Sequence, residues 1–171
     1  TTLFRSVRKL GVAPLTSMYF LGEASVRGHD DFRPRVHDSE GLLHRTSVGE
    51  WLWRPVSNPR YLRVSSLRDQ RPQGFGLVQR NRAFDAYLAL LDGDWGSGGV
   101  ELVEIPTDSE IHDNIVAYWV DDTPFRAGER RRYRYRIQVF DAEPPAGVMP
   151  PARVVRTRSG WGAVPGVAEP P

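Results

Sequence analysis

Acidic residues in the predicted loops, together with the tryptophans near them, are the groups of this sequence best suited to chemistry. Two carboxyl groups facing one cleft can hydrolyse a glycosidic bond, one acting as acid and the other as base. Indole rings stack on sugar faces, and carboxylates bind sugar hydroxyls. Loop carboxylates also cap turns, so residue types alone leave both interpretations open. The residues concerned are Asp30, Asp31, Asp38, Glu40, Asp94, Asp108, Glu110 and Asp113, with Trp51, Trp53, Trp95 and Trp119.

Several other kinds of site are excluded or disfavoured by the sequence. Cysteine is absent, which rules out disulfides and cysteine-based zinc sites. His29, His37, His44 and His112 show neither H-x-x-x-H nor H-E-x-x-H spacing, so a metal site would have to be assembled across loops. The sequence also lacks the G-x-S-x-G motif of serine hydrolases. We therefore expect no metal and no other cofactor.

A glycine-rich stretch at residues 93–99 surrounds Trp95. It lacks the G-K-[ST] ending of a phosphate-binding loop, so a tight loop before the next strand is the simpler interpretation. A tryptophan held on a frame of glycines can also serve as a stacking platform. Trp95 is therefore a candidate for contact with a sugar ring.

A basic run at residues 130–136 interleaves arginine with tyrosine, as in surfaces that bind nucleic acid. Strict alternation argues against that function, because it places the arginines on one face of a strand and the apolar side chains on the other. Glu101 and Glu104 are available to pair with these arginines. We expect no nucleic-acid partner and a core-facing row made of Tyr133, Tyr135, Ile137 and Val139.

Composition places the chain among globular proteins. It has 171 residues and a mass of 19.3 kDa, with 40% hydrophobic and 26% charged residues. The net charge is +2, the pI is about 9.2, and Lys9 is the only lysine among the 23 basic residues. No apolar run approaches the roughly 20 residues that span a bilayer, so we expect no membrane insertion. The chain begins without methionine, which suggests an excised piece.

Short strands separated by turn residues predict an all-β antiparallel sandwich. Residues 61–67 and 74–80 flank a polar turn and are expected to form a hairpin. Residues 81–91 are the best helix candidate, with one or two turns. The stretch from residue 160 onward has the composition of a linker or tail. The remaining predicted strands are residues 51–55, 100–105, 114–120, 132–140 and 153–158.

Several strings are specific enough to indicate a family. Near residue 38 the chain reads His-Asp-Ser-Glu-Gly, and near residue 113 it reads Asp-Asn-Ile-Val. These strings and others resemble the bacterial periplasmic glucans biosynthesis proteins G and D, over nearly the whole chain. The matching segments are residues 10–18, 20–23, 31–42, 49–55, 75–80, 93–96, 103–107 and 113–119.

The resemblance implies a function. Family members are exported to the periplasm of Gram-negative bacteria and serve the making of osmoregulated periplasmic glucans, which have a β-1,2-linked glucose backbone. Members have been assigned as inverting endo-β-1,2-glucanases, which are glycoside hydrolases. The family's general base falls on Asp38 and its general acid on Asp113. Glu40, Trp95 and Arg33 are weaker candidates for binding the glucan. The inner-membrane glucan synthase machinery is an expected partner.

The resemblance also implies a fold, and this chain departs from it. The family has a large β-sandwich of the galactose-mutarotase-like supersandwich type, followed by an immunoglobulin-like domain. We expect residues 1–160 to be the C-terminal part of that sandwich and residues 161–171 to be a linker. The immunoglobulin-like domain is expected to be absent. Between Tyr87 and Gly93 the chain is shorter than the family by about a dozen residues that line the cleft.

These departures leave three hypotheses open. The chain is a β-1,2-glucanase, a non-catalytic glucan-binding or scaffold protein, or an inactive truncated remnant. The shortened segment favours the second, because it affects the cleft while leaving Asp38 and Asp113 in place.

Overall fold

A computed structural model describes residues 6–22, 33, 35–80 and 85–140. Every regular element within these ranges is a β-strand. In chain order the strands are β1 (Ser6–Val7), β2 (Gly11–Ser17), β3 (Tyr19–Leu21), β4 (Val36–His37), β5 (Gly41–Arg45), β6 (Trp51–Pro55), β7 (Arg63–Gln70), β8 (Gly74–Val78), β9 (Asp85–Gly93), β10 (Ser97–Glu104), β11 (Ile115–Asp121), β12 (Phe125–Arg126) and β13 (Tyr133–Phe140).

Two antiparallel sheets carry the fold. One has four strands in the order β2-β11-β10-β7, and the other has five in the order β13-β9-β8-β5-β6. Two short ribbons, β1-β12 and β3-β4, complete the described pairing. The predicted all-β antiparallel sandwich is confirmed. The strands predicted at residues 51–55, 100–105, 114–120 and 132–140 are also confirmed, as β6, β10, β11 and β13.

The main core contains apolar side chains from both large sheets. Alternating positions of β10 and β11 contribute one half of it, as expected for strands with one buried face. The inner strands β5 and β8 are buried along almost their whole length. The core includes Leu42, Phe75, Leu77, Leu88, Val100, Leu102, Ile115, Ala117 and Trp119.

The four-stranded sheet has an irregular edge at β2. Its pairing with β11 shifts register between Ala117 and Trp119, and Ala13 on the facing segment has a φ of 55°. Pro14 follows Ala13 and has no N–H to donate, which suits an edge strand at a bulge. The last residue of β2, Ser17, pairs with Ile115 at the start of β11.

The predicted hairpin at residues 61–80 is wrong. β7 pairs with β10 in the four-stranded sheet, whereas β8 pairs with β5 and β9 in the five-stranded sheet. The turn between them therefore carries the chain from one sheet to the other. Arg71 within it has a φ of 52°, and its N–H donates to the Gly96 carbonyl at 3.1 Å. A polar turn between two strands looks the same in sequence whether the strands pair or separate.

The predicted helix at residues 81–91 is also wrong, because β9 occupies most of that range. Tyr87 and Leu88 are adjacent and both buried, but they belong to different clusters. Adjacent strand residues point to opposite faces, so β9 is covered on both sides at this point. Apolar residues then occur next to each other, and over a short segment this resembles helical spacing.

The strand predicted at residues 132–140 exists, but its expected apolar face is only partly covered. Tyr133 packs against the main core, whereas Ile137 is 52% exposed and Val139 is 60% exposed in the described structure. A register shift between Tyr133 and Tyr135 separates the two parts of the strand. β13 is also the last strand of its sheet, so one edge has no strand beside it among the described residues.

The expected pairing of the β13 arginines with Glu101 and Glu104 is wrong. Arg134 instead pairs with Asp92 on the neighbouring strand β9, with 2.8 Å between Nη1 and Oδ1. Glu101 pairs with Lys9, and Glu104 pairs with Arg63. Both glutamates lie on the four-stranded sheet, which does not contain β13.

The strand expected at residues 153–158 and the linker expected at residues 161–171 lie outside the described residues, as do Asp30 and Asp31. Within the described ranges there is no helix long and apolar enough to cross a membrane.

Candidate functional site

Asp38 and Asp113 lie 75 residues apart in the sequence, and the fold attaches both to one short segment, residues 16–19. On one side, β2 pairs with β11, which begins two residues after Asp113. On the other side, Tyr19 on β3 pairs with His37 on β4, one residue before Asp38. Strand pairing thus places the two predicted catalytic residues on either side of the same segment.

Hydrogen bonds hold the Asp113 side of this segment. The Thr16 hydroxyl donates to Asp113 Oδ2 at 3.4 Å. The neighbouring Asn114 is buried, and its Oδ1 accepts from the Tyr19 N–H at 2.8 Å. Its Nδ2 donates to the carbonyls of Tyr19 and Ile105, both at 3.0 Å. Asn114 therefore fixes the backbone next to Asp113 to the chain between β2 and β3.

A second set of hydrogen bonds holds the Asp38 side. The Asp38 N–H donates to the Met18 carbonyl at 2.9 Å, and Gln79 Nε2 donates to the Asp38 carbonyl at 3.0 Å. The buried hydroxyls of Ser17 and Ser39 lie 2.6 Å apart and share a hydrogen bond. These contacts use backbone atoms of Asp38 and leave its carboxylate out of the scaffold.

Both carboxylates are accessible. Asp38 and Asp113 are exposed residues, and neither forms an ion pair with any other residue in the described parts of the chain. Thr16 is the hydrogen-bond donor found there for the Asp113 carboxylate. A carboxylate that its own protein leaves largely unpaired can bind a hydroxyl, take a proton from water or, when protonated, donate one.

Glu40 has a different environment. It is buried, and its Oε2 accepts from the Arg80 N–H at 3.0 Å. Its Oε1 lies 3.8 Å from Arg80 Nε and 3.7 Å from His37 Nε2. The His37 ring stacks on Tyr19 with 5.7 Å between centroids. The predicted sugar-contact residue Glu40 therefore holds the chain around Asp38, and its carboxylate is occupied by its own protein.

Arg33 pairs with Glu110, with 2.7 Å between Nη1 and Oε2. Glu110 lies in the loop that leads to Asp113. Both side chains are about 40% exposed, so the pair lies at the surface. The structure thus brings Arg33 to the loop that carries Asp113.

Trp95, the expected stacking platform, is a core residue with 3% exposure. Its ring lies 4.9 Å from that of Tyr133 and 6.3 Å from that of Trp119, and its Nε1 donates to the Arg134 carbonyl at 3.3 Å. A Cβ at Gly98 would lie 2.6 Å from the Trp119 ring. This glycine of the stretch therefore makes room for an aromatic core. In this arrangement Trp95 presents no free face to a sugar.

An open groove of about 790 Å³ lies beside His112, the residue before Asp113. Its other polar lining residues include Asn58, Arg60, Thr107 and Asp108. Asn58 and Thr107 exchange hydrogen bonds, with Nδ2 donating to the Thr107 carbonyl at 2.7 Å and Oδ1 accepting from the Thr107 N–H at 3.0 Å. Sequence reasoning missed this groove. The Asn-Pro pair at residues 58–59 and the proline at residue 106 indicated turns but not that the turns meet.

Among the described residues, no group of three or more His, Asp or Glu side chains comes together in an arrangement that could hold a metal ion.

The fold and the site define an all-β sandwich protein with two accessible carboxylates, Asp38 and Asp113, and an open polar groove lined by His112, the residue before Asp113. Residues 2–170 match the family model described as "Periplasmic glucan biosynthesis protein, MdoG". The chain belongs to this family, as its sequence strings predict.

Curated relatives carry matching names. The chain is 45% identical over 185 aligned residues to glucans biosynthesis protein D 2 of Ralstonia nicotianae, covering 99% of this chain and 34% of the relative. It is 48% identical over 145 residues to glucans biosynthesis protein G of the same organism, covering 77% and 29%. It is 46% identical over 180 residues to glucans biosynthesis protein G of Cereibacter sphaeroides, covering 96% and 33%.

Two consequences follow from these alignments. The chain spans about a third of the length of the curated relatives it matches. The first alignment is 185 residues long, which exceeds the 171 residues of the chain, so this chain has gaps relative to that protein. The shortened segment expected between Tyr87 and Gly93 stays a prediction.

Proposed function

We propose that this chain acts on β-1,2-linked glucan in the periplasm as an inverting endo-β-1,2-glucanase. Asp38 is the general base and Asp113 the general acid. The family supports glucan as the substrate class, because its model and the relatives are named for glucan biosynthesis. In the same proposal, the inner-membrane glucan synthase machinery is the protein partner of this chain.

One observation carries the proposal. Asp38 and Asp113 are attached to opposite sides of residues 16–19, and both carboxylates are exposed and unpaired with any cation of the described chain. Carboxylates that serve only the fold are usually paired or hydrogen-bonded. A glycoside hydrolase instead needs two available carboxyl groups at one site, and an inverting one needs them roughly 6.5–9.5 Å apart so that water fits between substrate and base.

The reaction balances with these two groups alone. Asp38 takes a proton from a water molecule as the water oxygen attacks the anomeric carbon. Asp113 enters protonated and gives its proton to the departing glycosidic oxygen, directly or through a relay. Attack from the face opposite the leaving group inverts the anomeric centre, so a β-linkage yields an α-hemiacetal. The two carboxyls then exchange protons with solvent to start the next cycle.

The groove beside His112 supplies the substrate contacts in this proposal. Arg60 offers donors and Asp108 offers acceptors for sugar hydroxyls. The Arg60 guanidinium lies 5.3 Å from the centroid of the Tyr61 ring, and Tyr61 is 71% exposed. The Tyr61 ring is therefore accessible next to the groove, whereas the Trp95 ring is buried.

A second candidate function is glucan binding without cleavage. The observation that favours it is the exposure of Asp113, because a general acid usually lies in a water-excluded setting.

Incubation with linear β-1,2-glucan tests both functions. The parent chain, D38N, D113N and the control D122N are compared for release of shorter oligosaccharides. Asp122 is an exposed carboxylate that pairs with Arg68 at the opposite end of β11 from Asp113. D122N is therefore the same Asp-to-Asn substitution, made away from the proposed site. We expect cleavage by the parent and by D122N, loss of cleavage in D38N and D113N, and an α-anomer as the first product by NMR.

The contrary outcomes are separable. Retention of the parent chain on immobilised glucan without cleavage would overturn the enzyme and support the binding protein. Neither cleavage nor retention would overturn both. A β-anomer as the first product would overturn the inverting mechanism while keeping the activity.

A further inference from the structure

A second cavity, of about 550 Å³, is lined by three arginines. It lies at the other end of the five-stranded sheet from Asp38. In the pairing of β5 with β8, Gly41 faces Val78 at one end and Arg45 faces Gly74 at the other. Asp38 and Glu40 precede Gly41, so the length of β5, about 13 Å, separates them from Arg45. The polar groups of this cavity come from Arg45, Ser47, Arg71, Gln73, Tyr87, Arg136 and Gln138.

The three arginines differ from several other arginines on the two sheets in having no ion pair among the described residues. Arg63, Arg68 and Arg134 each bind a carboxylate. Within the described ranges, no carboxylate pairs with Arg45, Arg71 or Arg136. Arg45 Nε is shielded from solvent and has no hydrogen-bond partner there. The guanidinium of Arg45 lies 5.1 Å from the centroid of the Trp51 ring, which fixes its position.

The backbone around this cavity is held by hydrogen bonds. The Gln73 N–H donates to the Arg45 carbonyl at 2.9 Å, and the Leu90 N–H donates to the Gln73 carbonyl at 3.0 Å. Arg71 lies in the turn between the sheets with a φ of 52°, which an arginine adopts only at an energetic cost. The structure thus keeps an arginine at a position where glycine or asparagine would fit with less strain.

The uncharged donors in the cavity complement the arginines. Burial raises the pKa of Tyr87, although the nearby Arg45 charge lowers it in part, so its hydroxyl stays protonated at neutral pH and can donate. Ser47 and Gln73 supply further polar groups, and no Asp or Glu belongs to the lining. A guanidinium binds two oxygens of an oxyanion side by side, and three guanidiniums match a doubly charged group with several oxygens better than a single carboxylate.

We propose that this cavity is a binding site for a phosphate group, either free or carried on a larger ligand. Arg45, Arg71 and Arg136 bind its oxygens, and the Tyr87 hydroxyl donates to one of them. The site is separate from the Asp38/Asp113 site and does not depend on the function proposed for it.

Calorimetric titration at constant ionic strength tests this site, with inorganic phosphate and glucose 6-phosphate as probes and glucose and chloride as controls. We expect binding of both phosphates and none of glucose. R71Q and R136Q each weaken binding about tenfold, as loss of one charge-assisted contact would. R130Q is the matched control, because Arg130 is an exposed arginine outside the lining and its loss changes net charge equally.

Circular dichroism checks that each variant is folded. Tighter binding of glucose 6-phosphate than of inorganic phosphate would identify a phosphorylated ligand, and equal binding would identify free phosphate. Failure of both phosphates to bind would overturn the proposal. So would an equal loss in R130Q, which would indicate general charge attraction. Cleavage of β-1,2-glucan by the parent is measured separately, so failure of one proposal is distinguishable from failure of the other.

Discussion

Glu104 and Asp113 lie at the two ends of the loop that joins β10 to β11, and their surroundings are opposite. Glu104 has 0% exposure. Arg63 donates to it through Nε at 2.5 Å and through Nη2 at 2.6 Å, and the Ser57 N–H donates at 2.8 Å. Arg54 adds a fourth contact at 3.4 Å. Asp113 is exposed, and in the described part of the chain its carboxylate accepts one long hydrogen bond, from Thr16 at 3.4 Å.

The difference shows how this fold separates structural carboxylates from available ones. Glu104 joins β10 to β7 and to the segment after β6, so it links the two sheets at their edge. Asp113 is attached through the backbone by its neighbour Asn114, and its carboxylate is left accessible. Asp38 is held in the same manner through backbone bonds. Substitutions of the two kinds of carboxylate are therefore expected to differ in stability and in activity.

The largest stability effect is expected for E104A. Removing one partner of a buried ion pair costs about 3–5 kcal/mol, and the lower end applies because the Arg63 side chain is 41% exposed and can be rehydrated. We expect a loss of about 3 kcal/mol in the free energy of unfolding, measured by urea denaturation. E129A is the control, because the side chain of Glu129 is 31% exposed and also binds an arginine. Exposed ion pairs contribute less than about 1 kcal/mol, so a loss below that value in E104A would contradict a structural role for Glu104.

A smaller effect on stability, with an added effect on the site, is expected for N114A. The substitution leaves three backbone groups, two of Tyr19 and one of Ile105, without their partner. Unsatisfied buried groups cost about 1–3 kcal/mol each, partly relieved by water, so we expect a loss of about 2–3 kcal/mol.

Activity separates this role of Asn114 from a merely structural one. N114A should also release the Asp113 backbone and lower glucan turnover in protein that circular dichroism shows to be folded. E104A, measured below its unfolding transition, should retain turnover. Equal turnover in the two variants would argue against a positioning role for Asn114.

The fold was predictable from sequence where a strand has one buried face. β10 and β11 alternate between buried and partly exposed positions and were predicted as a pair of strands. β9 was mistaken for a helix because Tyr87 and Leu88 are both buried, on opposite faces. The hairpin prediction was wrong because β7 and β8 each pair with strands distant in the sequence, which no local pattern encodes.

The site was predictable only in part. Asp38 and Asp113 came from resemblance, and their role remains a prediction. The attachment of Asp113 to residues 16–19 depends on pairing between segments almost a hundred residues apart, which local patterns do not show. Trp95 was misplaced because nearby glycines suggested an open loop, whereas Gly98 makes room for the Trp119 ring.

An effect of intermediate size is expected for the dependence of the free energy of unfolding on pH, which we assign to the buried His44. Burial lowers the pKa of His44 from 6.5, and the Asp69 carboxylate, 3.4 Å from Nε2, offsets this only in part. The unfolded chain therefore binds a proton on this residue more readily than the folded chain as pH falls through about 6.5. We expect the free energy of unfolding to decrease between pH 7.5 and 5.5, by at most about 1.4 kcal/mol per pH unit for one proton.

Two histidine variants assign this pH effect. H44Q should flatten the dependence, whereas H112Q should keep it, because His112 is exposed. Asp69 does not contribute in this range: burial alone would raise its pKa, but hydrogen bonds from Ser47 and Gln70 leave it below 3.8. An unchanged slope in H44Q would show that another group titrates.

The smallest stability effect is expected for D38N and D113N. Both side chains are exposed and have no ion-pair partner in the described chain. Replacing such a side chain by a group of the same shape changes the free energy of unfolding by less than about 0.5 kcal/mol. Urea denaturation should therefore leave both variants close to the parent, while the glucan assay should show loss of cleavage. A loss above about 1 kcal/mol in either variant would mean that its carboxylate serves the fold as Glu104 does. Unchanged stability together with unchanged cleavage would mean that the accessible carboxylates are not the reacting groups.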